Sequence, residues 1–191
     1  MNKYIKRILD FILVLFALVV LIVPMLIIAL FIKIDSKGPI LFKQQRVGKN
    51  KNLFEIYKFR SMYTETPNVS TEVLGDPSSY ITKVGGFIRK TSLDELPQLF
   101  NILKGDMSIV GPRPALYNQY DLIAMRDKVN VNSVRPGLTG YAQVKGRDYI
   151  SDELKVEYDS YYIENVSFVL DAKIILWTAK SVMNSEGVRL D

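Results

Sequence analysis

The clearest pattern along the chain is an apolar run from Phe11 to Ile32, FILVLFALVVLIVPMLIIALFI, without one charged or polar side chain. As a helix its 22 residues would extend about 33 Å, close to the hydrocarbon thickness of a bilayer. Pro24 lies just past the middle, where it removes a backbone donor and crowds the carbonyl of Val20. Lys3, Lys6 and Arg7 precede the run, and Lys33, Lys37, Lys43, Arg46, Lys49 and Lys51 follow it. A spanning helix carries its positive charge mainly on the cytoplasmic side, so two basic flanks point to one side for both ends. Two readings stand: a single-pass anchor kinked at Pro24, and a re-entrant helix–break–helix that dips into one leaflet and returns. A cleaved signal peptide fits poorly, because this run is long and continues into Lys33–Ile34–Asp35 instead of a small-residue cleavage site.

Beyond the run the pattern changes period. Residues 39–47 and 53–60 read as strands joined by the turn-rich 48–52, a hairpin. Alternation puts Ile56, Lys58 and Arg60 on one face and Tyr57 and Phe59 on the other; a solvated cationic edge is the plain explanation of the former. Residues 61–80 are polar and read as a mobile loop, and Gly85–Gly86 lead into a short apolar turn at Phe87–Ile88. Leu96, Leu99, Phe100 and Leu103 have the spacing of a helix with one buried face, beginning near Leu93 to Leu96 and stopped by Gly105. Ser108–Val110 reads as a short strand leading into the stiff loop Gly111–Pro112–Arg113–Pro114. Residues 115–130 and 152–163 read as helices, and Arg135–Gly140, continued to Arg147, as a rigid glycine-rich turn. A last helix spans 167–183, capped by Ser167; its Trp177 and lysines suit a membrane interface, and an ordinary core-facing helix fits equally well.

Composition narrows the chemistry. The 191 residues carry a net charge of +5. Residues 33–60 hold eight Lys and Arg against Asp35 and Glu55, a local excess beside the anchor that suits anionic headgroups or membrane-held phosphates. No nucleic-acid motif accompanies it, so nucleic acid is not an expected partner. The absence of Cys and His excludes a Ser-His-Asp triad, a cysteine nucleophile, disulfides and the usual zinc sites. Carboxylates, hydroxyls, Lys and Tyr remain, with Mg²⁺ as the fitting metal.

Asp94 and Glu95 are adjacent carboxylates at a helix start. Ser92-x-x-Glu95 is a capping box, and acidic groups there oppose the helix dipole. The surroundings suggest more. Arg89, and Arg113, Arg135 and Arg147 in proline- or glycine-stiffened loops, suit a multiply charged phosphate. A carboxylate nucleophile among such cations should have a lowered pKa, and covalent catalysis can run through an aspartyl-phosphate.

The ordered set Lys58–Phe59–Arg60–Ser61–Met62, Arg89, Ser92–Leu93–Asp94–Glu95–Leu96–Pro97–Gln98–Leu99, Asn101 to Ser108, Gly111–Pro112–Arg113–Pro114, Arg135–Gly140 and Gln143 to Arg147 resembles the monotopic phosphoglycosyl transferases, bacterial polyprenyl-phosphate sugar-1-phosphate transferases, in their short single-domain form. The resemblance covers nearly the whole chain. It implies transfer of a sugar 1-phosphate from a UDP-sugar, of N-acetylated hexosamine type, to undecaprenyl phosphate, with release of UMP, at the start of capsule, O-antigen or glycoprotein glycan synthesis. It implies Asp94 as nucleophile and Mg²⁺ ligand, Glu95 as its partner, and Lys58, Arg60, Arg89, Arg113, Arg135 and Arg147 as phosphate-binding residues. It implies a re-entrant anchor broken at Pro24, where the family's Ser-Pro is Val23–Pro24 here. The expected fold is α+β and mostly helical: a re-entrant membrane anchor in residues 1–36, then a catalytic domain in 37–191 with a short β-hairpin and interfacial amphipathic helices. The expected setting is the bacterial inner membrane, with the domain facing the cytoplasm, in contact with membrane lipids and with room for a homodimer. The alternative is a non-catalytic adaptor that binds anionic lipids through its basic face.

Overall fold

The apolar run folds into one helix, α1 (Lys3–Asp35), in a computed structural model that describes residues 2–67, 77–146 and 150–183. Asn2 caps it by accepting from the Tyr4 amide, and Pro24 lies inside it, with the helix continuing on both sides without interruption. Among the described residues α1 is the one helix long and apolar enough to cross a membrane by length and composition. Yet one stripe of it is buried in protein: Asp10, Val14, Leu18, Met25 and Ile32, spaced by four or seven residues as one helix face requires. The remaining apolar side chains, such as Phe16, Val19 and Leu26, are exposed.

Both ends of α1 are fastened to the same domain. Near the start, Arg7 donates to the carbonyls of Ile102 and Leu103, Lys6 donates to Asp171, and Asp10 accepts from Ser108. At the other end Asp35 accepts from the Val84 amide, and the Arg60 guanidinium donates to the carbonyls of Ser36 and Lys37.

The hairpin forms as expected, with β1 (Leu41–Val47) antiparallel to β2 (Leu53–Phe59) and Lys43 opposite Tyr57. Then come α2 (Lys83–Lys90), a 3₁₀ turn at Leu93–Glu95, and α3 (Gln98–Lys104). The sequence reading gave only an apolar turn at α2. Thr82 caps this helix, and Gly85 lets its backbone lie against the Ser61 carbonyl, where a side chain would collide. Gly105 ends α3 with φ 96°, as expected of a C-terminal glycine. The buried face of α3 differs from the expected leucine row. Leu99 and Ile102 are buried with Gln98 and Asn101, and Phe100 is exposed. α3 begins only at Gln98, after the 3₁₀ turn and Pro97, so Leu96 does not belong to its row. Asn101 earns its burial by accepting from the Tyr57 amide and donating to the Glu55 carbonyl, which fixes α3 on β2.

β3 (Ser108–Val110) pairs in parallel with β4 (Gly137–Thr139), a strand inside the expected turn 135–140. The Gly111 amide donates to Thr139 and the Gly137 amide to Pro112, and a side chain on Gly137 would strike the Gly111 backbone. Helices α4 (Tyr120–Lys128), α5 (Tyr141–Gly146), α6 (Asp152–Glu164) and α7 (Phe168–Met183) complete the described fold, which is mostly helical. In α7 only Ile174 is fully buried; Phe168, Val169, Leu176 and Met183 are exposed. The main core joins Val14, Leu18, Met25 and Ile32 of α1 to Ile56, Phe59, Ile88, Leu99, Ile102 and Met107.

Candidate active site

The chain leaves α2 through Ser92, which adopts the left-handed conformation at φ 55°. Such a backbone costs a non-glycine residue about 1–3 kcal/mol and is characteristic of sites whose geometry the fold imposes. Here it turns Asp94 and Glu95 towards β2. Ser92 makes no side-chain capping bond, and Glu95 pairs elsewhere, so the capping box does not form. Lys58 Nζ donates to Glu95 Oε1 at 2.6 Å and stands 3.9 Å from Asp94 Oδ2. Arg113 Nη2 approaches the same Glu95 oxygen at 3.4 Å. Lys58 and Arg60 are both largely withdrawn from solvent, which removes the solvated-edge explanation of that strand face.

The two carboxylates titrate in opposite directions. Burial raises Glu95, but Lys58 and Arg113 outweigh it and hold its pKa at about 2. For Asp94 burial prevails and raises the pKa; Lys58, farther away here, lowers it, while the Glu95 charge adds to the rise and Arg89 and Arg113 oppose it. This corrects the expectation of a depressed Asp94. The nearest cations are spent on its neighbour.

A cleft of about 1390 Å³ opens over this pair. Asp94 and Glu95 are the only acidic groups among its described lining residues, against nine Lys and Arg. That imbalance suits an anionic ligand of more than one charge. Lys58, Arg89 and Arg113 reach it from β2, the last turn of α2 and the loop after β3. Arg60 also borders the cleft, but its guanidinium is bound to the carbonyls after α1. Arg135 is apart from it, donating to the Gly105 carbonyl at 2.8 Å. Arg147 lies outside the described residues.

Arg46 was missed in the sequence. It lines the cleft from β1, donates to the Pro114 carbonyl and to Gln44, and is lowered to about 10 by burial and by Arg113 against the pull of Glu95, so it stays charged at neutral pH. The hairpin register carried the signal: Phe42 faces Lys58 and Gln44 faces Ile56, so Arg46 shares their side. Arg126 was missed too. It is buried, pairs with Asp159 at 2.6 Å and donates to the Arg113 carbonyl at 2.9 Å, holding the loop that presents Arg113.

No group of three or more acidic metal-binding side chains exists among the described residues. Glu95 is occupied by cations, which leaves Asp94 as the carboxylate open to a metal. One carboxylate fits Mg²⁺ when substrate phosphates and water supply the other oxygens, the usual mode for that ion.

The family model described as "Bacterial sugar transferase" matches residues 1–185. The chain belongs to this family. Among the sugar transferases it resembles, an uncharacterized sugar transferase, EpsL, of Bacillus subtilis is 41% identical over 96% of this chain and 90% of its own length. A protein of Aeromonas hydrophila named UDP-N-acetylgalactosamine-undecaprenyl-phosphate N-acetylgalactosaminephosphotransferase is 40% identical over 97% of the chain. The undecaprenyl-phosphate galactose phosphotransferase of Salmonella typhimurium is 39% identical over 97%. This chain spans only 45% and 42% of the lengths of those two.

Proposed function

We propose that this chain transfers a sugar 1-phosphate from a UDP-sugar to undecaprenyl phosphate, with Asp94 as the nucleophile. The observation that carries the reading is a buried carboxylate in a cationic cleft, held beside a second carboxylate that Lys58 and Arg113 keep ionised. In the first step an Asp94 oxygen attacks the phosphorus that bears the sugar. The bond to the bridging oxygen breaks, UMP leaves, and the sugar phosphate is held on Asp94 as an acyl phosphate. In the second step an oxygen of the lipid phosphate attacks that phosphorus and expels the Asp94 carboxylate. Lys58, Arg89 and Arg113 hold the phosphates, and Glu95 fixes Lys58 and Arg113 in place. Mg²⁺, held by Asp94 together with the donor's diphosphate, would neutralise charge on the departing phosphate.

The relatives named for undecaprenyl phosphate support the acceptor, and their names differ in sugar. An N-acetylated hexosamine is the donor class we assign. The test is UMP release by the purified, detergent-solubilised full chain with undecaprenyl phosphate and a panel of UDP-sugars, with N-acetylated hexosamines expected to lead. Asp94→Asn should abolish both turnover and the covalent phosphosugar; full retained activity in that variant would sink the assignment. The adaptor reading has lost its support, because the acidic pair forms no capping box.

We also propose that α1 enters and leaves one leaflet, bending at Pro24, with α7 at the interface and the domain on the cytoplasmic face of the inner membrane. Fastening of both ends of α1 to one domain supports this, because a straight span would carry one end across the bilayer. Cysteines placed at Asn2 and Lys37 are expected to react with an impermeant reagent from the same side. Reaction from opposite sides would restore the spanning helix.

A further inference from the structure

The cleft is not uniform. Around Asp94 it is cationic, but it continues to a part walled by apolar side chains from two helices: Leu21 of α1, and Ile175, Ala179 and Val182 of α7. Ile109 and Leu138, on the paired strands β3 and β4, form its floor, and both pack on the same core as Leu93 and Leu96 beside the carboxylates. Of the polar groups nearby, the hydroxyls of Thr139 and Thr178 bond each other at 2.6 Å, and Thr178 also donates to the Ile174 carbonyl, while Gln143 Oε1 is buried without a hydrogen-bond partner. This end presents apolar surface, and its Leu21 wall lies on the helix whose other faces are exposed and apolar. A nucleotide-sugar, polar in its diphosphate, ribose and sugar, gains little from burying these groups. A chain of branched hydrocarbon gains roughly 25 cal/mol for each Å² it removes from water there.

We propose that this apolar arm, bounded by Leu21, Ile175, Ala179 and Val182, is the subsite for the first isoprene units of the lipid acceptor. The inference rests on the acceptor assigned above. It makes α1 and α7 two walls of a binding groove as well as contacts with lipid. The phosphate then arrives at Asp94 led by its own hydrocarbon chain, and the more polar side of the cleft, with Gln44, Arg46, Gln119 and Lys155, is left to the nucleotide-sugar.

The test uses the full chain in detergent and a polyprenyl phosphate carrying a diazirine on its second isoprene unit. After irradiation, labelled peptides are expected to contain Leu21 or residues 175–182, and undecaprenyl phosphate should compete while phosphatidylglycerol should not. Ala179→Trp, which fills the arm, should cut labelling by about tenfold and raise the KM for undecaprenyl phosphate far more than that for the UDP-sugar, which lies on the polar side of the cleft. An unchanged melting temperature of Ala179→Trp separates blocking from misfolding, and wild-type labelling decides the matter if that variant does not fold. Labelling confined to the outer face of α1, at Phe16, Val19 or Leu26, or equal competition by phosphatidylglycerol, overturns the subsite. UMP release in the same preparation keeps the two ideas apart. Turnover with labelling elsewhere sinks the subsite alone, and labelling of the arm without UMP release from any UDP-sugar sinks the reaction alone.

Discussion

Asp94 and Glu95 share a turn, a charge and a buried setting, yet the fold gives them different work. The difference is distance to Lys58, 2.6 Å from Glu95 and 3.9 Å from Asp94. Glu95 has a folded pKa below its ordinary 4.5, so its contribution to stability is full above that value and is lost as pH falls towards about 2. Asp94 has the opposite sign: its ionised form costs stability at neutral pH, and protonation relieves that cost. Asp94→Asn should therefore melt at or above the wild-type temperature while losing turnover; a large drop in Tm would mean Asp94 supports the fold. The acid limb of kcat/KM should fall above pH 3.8, the ordinary aspartate value, and should move to lower pH in Glu95→Gln, because the Glu95 charge helps to raise Asp94. A limb that stays put in Glu95→Gln would separate it from Asp94. The pair itself was legible as adjacent carboxylates. Which of them the cations hold was not, since Lys58 comes from a strand distant in sequence.

At the scale of elements, the site depends on loops held by buried polar groups. Arg126 on α4 and Asp159 on α6 form a nearly solvent-free pair, and Arg126 also holds the Arg113 carbonyl. Removing one partner of such a pair typically costs about 3–5 kcal/mol, whereas replacing both with apolar groups is often neutral. Arg126→Met should therefore lose stability on that order in denaturant unfolding, and Arg126→Met with Asp159→Leu should recover it. The double variant should still bind its UDP-sugar more weakly, seen as a raised KM, because the Arg113 loop has lost a donor. A double variant with wild-type KM would limit the pair to packing. The hairpin, α6, α7 and the Gly105 stop were readable because period and punctuation are local signals. The strand at Ser108–Val110 was readable too, but three-residue β4 is too short for a period, and its pairing with β3 joins segments separated by more than 20 residues.

For the whole molecule, α1 is part of the domain's core. Val14, Leu18, Met25 and Ile32 pack with Ile56, Phe59, Ile88 and Leu99. Deleting residues 1–32 should leave that apolar surface open and yield aggregated protein even in detergent, seen by size exclusion. A monodisperse truncated domain that unfolds cooperatively would show α1 to be a mere tether.

The sequence by itself determined the apolar run with its proline, the absence of His and Cys chemistry, the hairpin, and an acidic pair among stiffened arginines. Each of these is written in neighbouring residues. Tertiary structure decided which face of α1 enters protein, which carboxylate the cations hold, and that Arg135 binds backbone away from the cleft while Arg46 lines it. Those outcomes depend on distances of a few ångströms between segments far apart in the chain, and burial and Coulomb energies act through those distances.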